Sequence, residues 1–200
     1  MTERFCASND QHAESCSKLT SVWFTDLYDD GKPQIEMELI RPESIPEPCR
    51  TLLHHDHNMT PTLATWCRSK ANLSVLQKIF DIKQSVLSRI ITLDCEGHIV
   101  ELSSIRIYLS SLPEYTHHRV LSGEIPLGTM LIENGISQHC VPDCFLKVSC
   151  DSVLKKIFGT DSDAFLFGRR NRLLSDTKQV IAELIEIIPG PNQLEKIKKQ

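Results

Sequence analysis

Two strand-like segments of this 200-residue chain carry charged side chains at positions where their neighbours are apolar. In residues 85–93, strand alternation places Arg89 between Leu87 and Ile91 on the more apolar face. A buried guanidinium keeps its charge and needs an anion opposite its planar fork of donors. Two interpretations are about equally favoured: a structural pair with a carboxylate, or an arginine that binds a ligand carboxylate at the floor of a pocket.

The last strand-like segment, residues 180–188, is almost continuously apolar but holds two carboxylates. Glu186 alternates with Leu184 and Ile188 on one face, and Glu183 lies on the opposite face. Such a carboxylate either pairs with an arginine or has a raised pKa that suits acid–base chemistry. Residues 168–172 contain three arginines, and one of them is expected to be the partner that Glu183 or Glu186 needs.

Composition excludes several classes of protein. The formal net charge is −4, which argues against a nucleic-acid-binding surface because neutralising phosphates requires an excess of lysine and arginine. No apolar stretch approaches the ~20 residues of a membrane-spanning helix, and the N-terminus lacks a hydrophobic signal core. A cytoplasmic domain is therefore expected, with its eight cysteines as ordinary thiols in a reducing compartment and not as disulfides or metal ligands.

Short alternating runs, interrupted by helical segments that end at glycines, predict an α+β fold. We expect an antiparallel sheet of about six strands with helices clustered on one side. Residues 1–20 lack periodicity and are expected to form a flexible arm. Residues 21–190 are expected to form a single domain, and residues 191–200 a C-terminal tail.

Three segments of the chain are similar to motifs of one enzyme family, the chorismate pyruvate-lyases (4-hydroxybenzoate synthases). Residues 52–60, LLHHDHNMT, resemble the family's LL-x-x-D-x-S-M-T segment, and residues 125–131, IPLGTML, resemble its P-L-G-R-x-L turn. Residues 167–173, FGRRNRL, with the Glu-bearing strand up to Pro189, resemble the family's C-terminal W-G-R-R-S-R-L region. Arg89 also stands at the family's spacing from the hairpin glycine, Gly97. The resemblance covers roughly residues 50–190 and its segments occur in the family's order.

The resemblance implies a six-stranded antiparallel sheet with a buried ligand cavity, which agrees with the α+β prediction. It also implies a lyase that converts chorismate into 4-hydroxybenzoate and pyruvate without a cofactor or metal, for ubiquinone or aromatic secondary-metabolite biosynthesis. Arg89 and Glu186 are the implied catalytic residues: Arg89 would fix a substrate carboxylate, and Glu186 would accept or relay the ring proton.

Four further residues are implied in substrate binding. Met59 lines the pocket, Leu127 offers main-chain contacts, and Glu183 is the reserve candidate for the site carboxylate. Arg106 is the candidate second cation, because Ser104 and Thr129 stand where the family has arginines. These two departures keep a different aromatic or cyclohexadiene acid open as the substrate.

The alternative to a lyase is a non-catalytic domain of the same fold that binds an aromatic acid as a sensor, as in the effector domains of some bacterial repressors. Under either hypothesis the expected partner is a small molecule, a chorismate-like dianion for the lyase. Neither a nucleic acid nor a membrane is an expected partner, and the expected oligomeric state is a monomer.

Overall fold

Antiparallel pairing joins seven strands into one sheet in the computed structural model, which describes residues 22–28, 35–161 and 164–199. The strands are β1 (Met37–Ile40), β2 (Ala71–Asp81), β3 (Val86–Cys95), β4 (His98–Tyr108), β5 (His139–Ser149), β6 (Phe165–Leu174) and β7 (Val180–Ile188). Their order across the sheet is β1-β5-β6-β7-β4-β3-β2. The α+β prediction is confirmed, with one strand more than expected.

Six helices accompany the sheet: α1 (Cys49–Leu53), α2 (Met59–Cys67), α3 (Glu114–Ser122), α4 (Leu127–Glu133), α5 (Ser152–Phe158) and α6 (Pro191–Lys198). Short 3-10 segments lie at Val22–Leu27, Pro42–Ser44 and Leu109–Ser111. In the described ranges, no helix is long and apolar enough to cross a membrane.

The sheet separates two apolar clusters. Most helices cover one face, called the helix face here, where Leu63 of α2 and Leu131 of α4 are fully buried against the sheet. On the other face, Leu154 and Phe158 of α5 pack with Phe24 of the first 3-10 segment. Helices are therefore concentrated on one side, as predicted.

The sequence predicts an N-terminal arm and a C-terminal tail, and of these two segments the structure describes residues 191–199 of the tail. Residues 191–200, expected as a tail, contain helix α6, whose Leu194 is fully buried in the helix-face cluster. The predicted arm at residues 1–20 lies outside the described residues.

The start of α5 is fixed by one side chain, that of Asp151. Asp151 precedes the helix, and its carboxylate accepts a hydrogen bond from the Leu154 amide at 2.9 Å. The same carboxylate accepts a hydrogen bond from the Tyr28 hydroxyl at 2.5 Å. Asp151 therefore caps the helix and also joins it to the N-terminal 3-10 segment.

Register decides which polar residues meet on the helix face. Ser103 of β4 lies opposite Glu186 of β7, and Glu186 lies opposite Arg169 of β6. In the next row of this face, Arg89 is paired with Ile105, Ile105 with Leu184, and Leu184 with Asn171. Arg89 and Glu186 therefore share one face of the sheet, with Cα atoms about 12 Å apart by strand geometry.

Candidate functional site

A buried ion pair lies at the centre of the helix face. Arg169 is fully buried, Glu186 is 3% exposed, and the Arg169 Nε donates to a Glu186 carboxylate oxygen at 2.5 Å. Strand alternation directs Arg169 inward and sends Arg170 to the opposite face, where it pairs with Glu183 at 3.2 Å. Arginines of residues 168–172 are thus the partners of both strand carboxylates.

The rest of the Arg169 guanidinium binds the main chain between α1 and α2. It donates to the carbonyl oxygens of Leu53 at 3.1 Å, His55 at 2.8 Å and His57 at 3.2 Å. The neighbouring Gly168 permits this packing, because a Cβ there would stand 2.6 Å from the Glu186 carbonyl oxygen. Arg169 therefore fixes the histidine-rich loop that leads into α2.

A cavity of about 40 Å³ lies beside this ion pair, between the sheet and the N-terminal ends of α2 and α4. Three sequence-predicted site residues line it: Glu186, Met59 and Leu127. Its other lining residues include the polar side chains of Glu101 and Asn171 and the apolar side chains of Ile91, Ile105 and Leu184. The cavity therefore has an apolar middle and a polar end.

Close packing of two loops forms the roof of this cavity. Gly128, in the first turn of α4, lies against Asn58, since a Cβ at Gly128 would stand 2.9 Å from the Asn58 side chain. The Asn58 side-chain oxygen also accepts a hydrogen bond from the Cys140 thiol at 3.3 Å. The glycine of the P-L-G segment thus allows α4 and the start of α2 to meet over the sheet.

Glu101 is a buried carboxyl group with an unusual protonation equilibrium. It is 3% exposed, and burial, reinforced by the charge of Glu186, raises its pKa to about 8. Ser103 donates a hydrogen bond to one carboxyl oxygen, while the other oxygen, Oε2, has no hydrogen-bond partner. At neutral pH the protonated carboxyl prevails, so Glu101 can donate a hydrogen bond into the cavity.

Arg89 lies on the same face but does not line this cavity. It is 3% exposed, and burial alone lowers its pKa to about 10, so it stays charged at neutral pH. Its guanidinium lies beside Gly123, just beyond the end of α3, and its Nε has no hydrogen-bond partner. Gly123 stands three positions before Pro126, a lining residue of the cavity. No ion pair joins Arg89 to a carboxylate in the described part of the chain.

Arg106 and Glu183 lie on the opposite face of the sheet. The Arg106 guanidinium stacks 4.4 Å from the ring centroid of Trp23, and Glu183 accepts a hydrogen bond from the Tyr108 hydroxyl at 2.7 Å. Arg106 borders a second cavity of about 170 Å³, whose lining also includes Arg89 and its strand neighbours Ser88 and Ile90. Neither Arg106 nor Glu183 therefore reaches the cavity that contains Glu186.

Sequence reasoning did not single out three residues that shape the first cavity: Arg169, Glu101 and Asn171. Asn171 is 1% exposed, and its side-chain oxygen Oδ1 lacks a hydrogen-bond partner. The available signal was alternation in residues 168–172, which puts Arg169 and Asn171 on one face and Arg170 and Arg172 on the other. Glu101 lies at the register shift between β3 and β4, where alternation alone does not assign a face.

Comparison with solved structures identifies proteins of similar fold. The crystal structure of PhnF from Mycobacterium smegmatis is similar with a TM-score of 0.50 and 15% identity, over 67% of this chain and 64% of that one. The match therefore spans less than two thirds of that chain. Its separately solved effector domain matches with a TM-score of 0.51 and 15% identity, over 66% of this chain and 88% of the domain.

A GntR-family transcriptional regulator from Bacillus cereus is also similar, with a TM-score of 0.45 and 10% identity over 60% of this chain and 92% of that one. The sequence matches no protein-family model and no curated protein. At these identities the likeness establishes the fold alone, an antiparallel α+β fold of the chorismate lyase-like type.

The expectation of a chorismate pyruvate-lyase is wrong. The solved structures reported above include the effector domain of PhnF and none of them is a lyase, which contradicts the expected enzyme and its biosynthetic setting. In the unliganded structure Arg89 does not line the cavity that contains Glu186, so the two predicted catalytic residues do not share one enclosed cavity.

Replacing Arg169 tests how far the site depends on the buried ion pair. Arg169→Met leaves Glu186 buried without a counter-charge, so the free energy of unfolding should fall by about 3–5 kcal/mol. Arg172→Met is the matched control, because Arg172 pairs with Asp143 at a partly exposed site and should cost less than about 1 kcal/mol. Urea unfolding followed by circular dichroism measures both, and equal losses would contradict the assignment.

Glu101 should make stability depend on pH in a defined direction. Its pKa is higher in the folded chain than in the unfolded one, so the folded state binds the extra proton and loses stability as pH rises from about 5 to about 8. Above that range this loss should stop growing. Glu101→Gln removes the effect, so the variant should gain stability relative to the parent as pH rises. Urea midpoints at pH 5.5, 7 and 8.5 give the difference, and a constant difference would refute the raised pKa.

Proposed function

We propose that this chain is a non-catalytic effector domain that binds an aromatic acid carrying a hydrogen-bonding group opposite its carboxylate. The observation that carries the proposal is a set of three buried polar atoms on one face that lack hydrogen-bond partners. They are Arg89 Nε, Glu101 Oε2 and Asn171 Oδ1. Native proteins satisfy most buried polar atoms, so three on one face support a ligand that completes them.

The positions of these atoms support a ligand that carries a carboxylate at one end and a hydroxyl or carbonyl group at the other. By strand geometry, the Cα atoms of Glu101 and Asn171 each lie about 14 Å from that of Arg89. The cation suits a carboxylate, since a guanidinium binds this group with two parallel hydrogen bonds. A protonated Glu101 and the Asn171 amide suit a hydroxyl or carbonyl at the other end. Between them lie Ile91, Ile105 and Leu184, which suit a ring.

The unliganded cavity is too small for such a ligand. Its volume of about 40 Å³ holds about three water molecules, at the ~10–15 Å³ that each one needs. Binding therefore has to move the roof, which consists of the start of α2 and the turn before α4. A ligand that binds the open conformation of the roof more tightly than the closed one shifts the equilibrium between these two conformations. An effector domain reports ligand binding by such a shift.

Thermal unfolding with 4-hydroxybenzoate as the probe tests the proposal. The ligand binds only the folded chain, so the melting temperature should rise with ligand concentration. The neutral analogue 4-hydroxybenzyl alcohol should give a smaller shift, because it lacks the carboxylate for Arg89. Arg89→Met should lose the carboxylate-dependent part of the shift, and Arg106→Met, altered on the opposite face, should retain it.

Two results would overturn this assignment. One is the absence of any shift with 4-hydroxybenzoate, benzoate and cyclohexanecarboxylate in a folded protein. The other is a shift that survives Arg89→Met and disappears in Arg106→Met, which would move the ligand to the second cavity.

A further inference from the structure

Two cysteines from different elements lie side by side at one end of the helix face. Cys67 is the last residue of α2 and Cys95 the last residue of β3, and both are free thiols. The pairing of Ala71 with Cys95 brings the chain that follows α2 back to the end of β3. Both residues line one pocket, and each thiol shifts the pKa of the other.

Both thiols open onto the same pocket. Its volume is about 280 Å³, larger than the cavity beside Glu186, and its lining includes three basic side chains, Arg68, His98 and Lys198. Cys95 is 2% exposed and Cys67 is partly exposed, so a small oxidant can approach the pair through the pocket. Glu96 lines the pocket as well, and its carboxylate and that of Asp94 work against the Cys95 thiolate, so hydrogen bonding and not a positive surrounding lowers the pKa of Cys95. The thiolate is the form that reacts with oxidants.

We propose that Cys67 and Cys95 are a redox modification site that forms an intramolecular disulfide when the protein meets a peroxide. The thiolate of one cysteine attacks the peroxide, is oxidised to a sulfenic acid and releases water. The second thiol then attacks this sulfur, which forms the S–S bond and releases a second water. The peroxide is reduced by two electrons, and the two thiols lose two hydrogens between them.

The protonation of the pair supports this order of events. The hydrogen bond from Cys67 lowers the pKa of Cys95 and raises that of Cys67. Because the two thiols titrate as one system, the pair gives up its first proton more readily and its second less readily. Cys95 is thus the sulfur that reacts first, and Cys67 is the resolving thiol.

The disulfide would join the C-terminal end of α2 to the sheet. The N-terminal end of the same helix, at Met59 and Thr60, lines the cavity assigned to the effector. Oxidation would therefore restrain a helix whose movement opens that cavity, a consequence that rests on the proposed function. The disulfide itself does not depend on any ligand and is tested without one.

Peptide mapping after peroxide treatment tests the proposal. Trypsin cleaves after Arg50, Arg68, Arg89 and Arg106, so Cys67 and Cys95 fall in peptides 51–68 and 90–106, each with one cysteine. After treatment with hydrogen peroxide and blocking of the remaining thiols, these two peptides should appear as one cross-linked species that a reductant separates. The melting temperature should also rise by about 5–10 °C, since the new bond constrains the unfolded chain.

Two variants make the outcome decisive. Cys67→Ser should abolish the cross-linked species and the rise in melting temperature, whereas Cys144→Ser, altered on the opposite face, should keep both. The proposal is overturned if both thiols remain available to an alkylating reagent after oxidation. It is also overturned if Cys67 or Cys95 is found cross-linked to a different cysteine.

Discussion

The ion pair between Arg169 and Glu186 is the interaction on which the functional face of this domain depends. A buried charge without its partner costs ~3–5 kcal/mol, a large part of the ~5–15 kcal/mol that stabilises a typical domain. The other donors of the Arg169 guanidinium bind carbonyl oxygens between α1 and α2, including that of His55. The same side chain thus neutralises a sheet carboxylate and fixes the loop that places Met59 over the sheet.

This arrangement also explains why Glu101 can remain protonated. Among the described residues, Arg169 is the one cation that acts on both carboxyl groups, and it is bound to Glu186. Glu101, buried beside the charge of Glu186, keeps its proton because ionisation would add a second negative charge to an enclosed site. The polar end of the cavity therefore offers hydrogen bonds without a second full charge, while the cation at Arg89 lies at the far end of the apolar stretch.

Strand alternation was sufficient to predict part of this site. It placed Arg89 and Glu186 each among apolar side chains on one face of its strand, and it put Glu183 on the face opposite to Glu186. Both follow because side chains alternate between the two faces of a strand with a period of two residues. It did not predict which arginine pairs with Glu186, since that depends on the register of β6 against β7. Strand β5 was not predicted, because Pro142 interrupts its strand-like pattern. The structure accommodates this proline at a shift in the register between β5 and β6.

The proximity of Cys67 and Cys95 also could not be predicted from local sequence patterns. Cys67 and Cys95 are far apart in sequence and belong to no spacing motif, so composition indicated only ordinary thiols. They meet because α2 ends where the chain turns into β2, directly beside the end of β3. Contacts of this kind depend on how helices sit on the sheet, which local sequence patterns do not encode.

The central claim is that an aromatic acid lies on the helix face between Arg89 and the pair formed by Glu101 and Asn171. A crystal structure of the protein with 4-hydroxybenzoate tests it most directly. The account predicts the carboxylate within hydrogen-bond distance of the Arg89 guanidinium, the hydroxyl beside Glu101 or Asn171, and the start of α2 displaced from the sheet. A ligand bound against Arg106 and Trp23 on the opposite face, with the cavity beside Glu186 still closed, would contradict it.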